Sequence, residues 1–106
     1  MKICIIKLGA KGDIVRTFPL LLVIKEKFPK SEITWITRPS SKEILETSPY
    51  INKILILPIP DNQINLKEKF DILYSFDIED EATNLAKKIN AEKKYGFYSE
   101  NGFISS

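Results

Sequence analysis

Apolar residues in this chain fall into two kinds of run. Ile3-Cys4-Ile5-Ile6 is continuous and does not alternate, which suits a strand covered on both faces of a parallel sheet. Ile33-Thr34-Trp35-Ile36-Thr37, Ile54-Leu55-Ile56-Leu57 and Phe70 to Tyr74 also read as strands, being rich in β-branched and aromatic residues. Between the first two, Ile14, Phe18, Leu21 and Leu22 recur at i, i+4, i+7 and i+8, a helical spacing. Pro19 conflicts with that helix, because proline is tolerated only in a helix's first turn. The pattern therefore predicts either a kink there or a regular helix that starts near Thr17. Lys25 and Lys27 suit its C-terminus, where the dipole favours cations, and Pro29 stops it.

The remaining elements are shorter. Pro39-Ser40-Ser41 opens a helix that runs to about Glu46. Pro58 and Pro60 end the third strand and open a loop to about Asn65. Asp77 can cap a helix with Glu79, Asp80 and Glu81 in its first turn, Lys87 and Lys88 in its last, and Ala82, Leu85, Ala86 and Ile89 as its buried stripe. A strand near Lys94 to Phe97 follows. The Asn101-Gly102 turn signal predicts a small closing hairpin. Strands alternating with helices imply right-handed crossovers and an α/β, Rossmann-like, doubly wound parallel sheet, with strand order 3-2-1-4-5. Residues 1–106 read as a single domain without repeat or boundary.

Composition narrows the chemistry. A net charge of +2 gives no basic surface of the kind a nucleic-acid binder needs. With no histidine and one cysteine, Cys4, an internal disulfide and Ser-His or Cys-His catalysis are excluded, and zinc sites lose their usual ligands. The residues imply no metal and no cofactor. Lys7 interrupts the first apolar run too early for a signal peptide, and no run approaches the ~20 residues that span a bilayer. These features predict a cytoplasmic protein that can still touch a membrane surface.

A doubly wound sheet binds ligands beyond the C-terminal strand ends, where strand order reverses. That point lies between the first and fourth strands. It collects Leu8 to Asp13 and Ser75 to Asp77, with Thr37 and Arg38 beside them. Gly9-x-x-Gly12 is neither a dinucleotide fingerprint nor a Walker A loop. Asp13 stands where a phosphate loop would aim its N–H groups, so the loop presents a carboxylate rather than cradling a nucleotide. Asp13 reads as a helix N-cap or as a general base, and the two roles can coexist. Arg16 and Arg38 read as anion contacts or as solvated surface, and Ser75 as a hydrogen-bond partner for sugar hydroxyls. Lys7 and Lys11 read as ordinary surface residues unless the ligand is anionic. Tyr95, Phe97 and Tyr98 read as a sugar-stacking platform or as packing at the sheet edge.

Lys2-Ile3 through Lys7-Leu8-Gly9-Ala10-Lys11-Gly12-Asp13-Ile14-Val15-Arg16-Thr17-Phe18-Pro19 resembles the opening signature of glycosyltransferase family 9, the ADP-heptose:lipopolysaccharide heptosyltransferases and their relatives. Pro49-Tyr50-Ile51-Asn52-Lys53-Ile54, Phe70-Asp71-Ile72-Leu73-Tyr74-Ser75 and Lys94-Tyr95-Gly96-Phe97 agree with it. The resemblance implies the N-terminal, acceptor-binding half of a two-domain GT-B fold. It implies Asp13 as the catalytic base of an inverting transfer, and Gly9 and Gly12 as points of close backbone approach. The partners it implies are the lipopolysaccharide core acceptor and, through a C-terminal domain absent from this chain, a nucleotide-sugar donor. It also allows peripheral contact with the inner membrane. Without the second domain the chain alone is expected to be inactive. The alternative is a stand-alone Rossmann-like module that binds a ligand or a protein without catalysis.

Overall fold

A computed structural model describes residues 1–8, 11–57, 69–76, 80–97 and 104–105. The elements are β1 (Lys2–Ile6), α1 (Lys11–Lys27), β2 (Glu32–Thr37), a 3₁₀ turn (Pro39–Ser41), α2 (Lys42–Glu46), β3 (Lys53–Ile56), β4 (Phe70–Ser75), α3 (Asp80–Lys88), β5 (Ala91–Phe97) and β6 (Ile104–Ser105). They form one sheet in the order β3-β2-β1-β4-β5-β6. All pairs are parallel except β5–β6. The expected order 3-2-1-4-5 holds, and the closing hairpin adds one antiparallel edge strand.

The unalternating runs are explained by burial on both faces. Ile3 and Ile5 of β1 join Ile33 and Trp35 of β2 and Ile72 of β4 against Ile14, Leu21 and Ile24 of α1 and Leu45 of α2. Cys4 and Ile6 point the other way. With Leu8, Ile36 and Leu73 they pack against Ala82, Leu85, Ala86 and Ile89, the stripe expected for α3. Helices thus cover both faces, as a doubly wound sheet requires. Trp35 is fully buried. Its ring meets Phe18 edge-on at 6.3 Å, and its indole N–H donates to the Lys7 carbonyl at 3.4 Å.

Three expectations are corrected. First, α1 is one helix of 17 residues with Pro19 inside it. Pro19 lies on the exposed side, so its ring faces water while the opposite face packs on the sheet. Second, Leu22 is 49% exposed, and Ile24 takes its expected place in the buried stripe. Third, β5 starts at Ala91, earlier than Lys94, because pairing with β4 recruits the polar Glu92 and Lys93 that had masked the strand. The proposed cap at Asp77 lies outside the described residues.

Candidate functional site

Register fixes where the strand ends meet. Ile6 stands opposite Ile36 on one side and Ser75 on the other, and Ser75 stands opposite Gly96. The pairing runs one residue beyond the strands. Lys7 N–H donates to the Ile36 carbonyl at 3.2 Å, Phe76 N–H to the Ile6 carbonyl at 2.9 Å, and Leu57 N–H to the Thr37 carbonyl at 2.9 Å. The C-terminal ends of β1, β2, β4 and β5 therefore form one continuous edge, with the reversal of strand order at β1.

Onto this edge α1 delivers its N-terminus. Gly12 and Asp13 are its second and third residues. The Asp13 backbone therefore sits inside the first turn and is not the N-cap, because the helix begins three residues earlier than the cap reading requires. Gly9 lies outside the described residues. Arg16 is exposed, one turn beyond Gly12. Arg38 follows β2 directly, half-buried and extended at φ −92° and ψ 158°, as suits a residue before proline. The backbone of Gly12 and Asp13 at the start of α1 and Arg38 after β2 thus follow the C-terminal ends of β1 and β2.

Ser75 differs. It ends β4 at 1% exposure, and alternation with Tyr74 turns its side chain to the α3 face. Among the described residues its hydroxyl has no hydrogen-bond partner, and neither does that of the fully buried Thr37. Gly96 explains how β5 approaches Ser75 so closely. It has φ +95°, and a Cβ there would lie 2.0 Å from the Ser75 carbonyl oxygen.

Sequence reasoning underrated Lys7. It is half-buried at the reversal point, and its ammonium donates to the Phe76 carbonyl at 3.4 Å. Alternation along β1 sets it on the α1 face, the one signal that could have marked it. Tyr95 stacks on Tyr74 at 5.6 Å, and Tyr74 on Phe76 at 6.0 Å, forming an aromatic row along the sheet. Burial, then the neighbouring Tyr95, pushes the Tyr74 phenol above its ordinary value of 10.0. Tyr98 lies outside the described residues. Among the described residues no group of three His, Cys, Asp or Glu could hold a metal ion.

Known proteins share both sequence and fold with this chain. It is 43% identical over 65 residues to lipopolysaccharide heptosyltransferase 1 of Campylobacter coli, covering 60% of this chain and 19% of that protein. It is 27% identical to the lipopolysaccharide core heptosyltransferase OpsX of Haemophilus influenzae, covering 90% of this chain and 29% of the relative. The chain resembles the heptosyltransferases of glycosyltransferase family 9. A glycosyltransferase family 9 protein from Veillonella parvula superposes with a TM-score of 0.80 at 24% identity, over 92% of this chain and 32% of that one. The E. coli heptosyltransferase WaaC, solved with ADP, superposes with a TM-score of 0.77 at 14% identity, over 91% of this chain and 35% of that one. The fold is thus α/β and Rossmann-like, matching part of these glycosyltransferase structures. No family model matches the chain. It spans less than a third of the length of the curated heptosyltransferases it matches.

Proposed function

We propose that this chain is the acceptor-binding half of an inverting glycosyltransferase that moves heptose from a nucleotide sugar, ADP-heptose, to the lipopolysaccharide inner core. One coincidence carries the reading. The curated relatives are heptosyltransferases, and the fold sets the one acidic residue of the Gly-x-x-Gly-Asp motif on the first turn of α1, at the reversal of strand order.

Asp13 takes the proton from an acceptor hydroxyl. The hydroxyl oxygen attacks the anomeric carbon from the face opposite the nucleotide, and the bond from that carbon to the diphosphate oxygen breaks. ADP leaves with the bonding pair, and the configuration inverts. Gly9 and Gly12 let the acceptor approach the backbone. Arg16 and Arg38 pair with its acidic groups, Arg38 from a backbone fixed by the following proline. Ser75 ends β4 beneath the edge, with its hydroxyl left to hydrogen-bond the acceptor. The donor is held by a second domain, and the reaction takes place on the cytoplasmic side of the inner membrane.

The test is to incubate the intact gene product with ADP-heptose and a Kdo–lipid A acceptor and to weigh the acceptor by mass spectrometry. Gain of one heptose is expected. An unchanged acceptor, with both substrates present and the protein folded, contradicts the reading.

A further inference from the structure

We infer that Trp35 is a positioning residue for Asp13, an inference that rests on the transfer reading above. The stretch that carries Asp13 leaves the sheet after β1 and joins α1. One side chain meets that stretch on both sides of the motif. The Trp35 indole N–H donates to the Lys7 carbonyl at 3.4 Å, one residue past the end of β1. The Trp35 ring meets Phe18 of α1 at 6.3 Å and 89°, an edge-to-face contact. Lys7 precedes Gly9-x-x-Gly12-Asp13 by two residues, and Phe18 follows Asp13 by five.

The anchor is itself well held. Strand β2 is paired on both sides, and Trp35 stands in it opposite Ile5 of β1 and Ile54 of β3. It is fully buried, in the core cluster that also holds Ile14 of α1. A large ring packed at interior density has few positions open to it. Lys7 is tied on two further sides, its N–H to the Ile36 carbonyl at 3.2 Å and its ammonium to the Phe76 carbonyl at 3.4 Å. The indole adds a third tie. Holding the Lys7 carbonyl fixes the plane of the Lys7–Leu8 peptide, the link that leads into the motif. Phenylalanine would satisfy the packing but has no N–H for this carbonyl, so apolar burial alone does not call for an indole. A general base works within hydrogen-bond reach of the proton it takes, and a displacement of about 1 Å costs about 10²-fold in rate. Trp35, enclosed in the core, touches no substrate and acts through Lys7 and Phe18.

The experiment compares wild type, Trp35→Phe and Ile24→Ala in the intact gene product. Trp35→Phe keeps a ring beside Phe18 and removes the N–H. Ile24→Ala opens the same core cluster six residues farther along α1 than Phe18 and leaves both Trp35 contacts in place. Heptose transfer from ADP-heptose to Kdo–lipid A gives kcat and KM, and hydrogen exchange follows the amides of residues 8–13. Trp35→Phe is expected to lower kcat about tenfold to a hundredfold, to leave the KM for ADP-heptose within about twofold, and to speed exchange across residues 8–13 about tenfold. Ile24→Ala is expected to lower the melting temperature while kcat and that exchange stay within about twofold. Equal loss of kcat in the two variants, or exchange across residues 8–13 that Trp35→Phe leaves unchanged, overturns the inference. A folded wild type that transfers no heptose overturns the transfer reading instead, and the exchange comparison then decides alone whether Trp35 fixes this stretch.

Discussion

At the residue scale, small changes at the sheet edge carry large consequences. Gly96 has φ +95°, and any Cβ would collide with backbone rather than with a side chain that can swing away. Gly96→Ala is expected to lower unfolding free energy by about 2–4 kcal/mol, read from urea denaturation. Tyr74 offers a pH test. Its phenol is raised by burial and by Tyr95, so its contribution to stability is fully present below the ordinary value of 10.0. That contribution is lost as pH rises through the higher folded value. Tyr74→Phe should therefore flatten the alkaline fall in urea midpoint, and an equally steep fall in the variant would contradict the assignment. Residue roles were the least legible part of the sequence. Asp13, Gly12, Arg16 and Arg38 were marked by their places after strands. Lys7 read as surface because a single lysine says nothing of what covers it. The burial of Ser75 on the α3 face needed alternation followed along the whole of β4.

At the element scale, β1, β2 and β4 were legible because they are buried on both faces and rich in apolar residues, whereas polar residues masked the start of β5. Helix α1 was legible in existence but not in orientation. Its apolar residues lie on two sides, so periodicity alone could not choose Ile24 over Leu22, and Pro19 suggested a start near Thr17 that the helix, running from Lys11, does not have. The two leucines give a direct comparison. Leu21 is 1% exposed, and Leu21→Ala is expected to cost about 2–5 kcal/mol. Leu22→Ala is expected to stay within about 0.5 kcal/mol. Equal losses from the two substitutions, measured by thermal or urea unfolding, would show that Leu22 is buried in solution.

At the scale of the molecule, topology follows from the order of elements. Right-handed crossovers put α1 and α2 on one face and α3 on the other, and this sends β4 to the far side of β1. The reversal at β1 then creates the edge that α1 meets with Gly12 and Asp13. The hairpin to β6 was visible in its turn residues. The greater length of the curated relatives was visible only through resemblance. The account rests on Asp13 as the base, and heptose transfer by the intact gene product, compared between wild type and Asp13→Asn, tests it most directly. The account expects kcat to fall about 10²–10⁴-fold while the melting temperature and acceptor binding stay close to wild type. Turnover at the wild-type rate in a folded Asp13→Asn protein would contradict it.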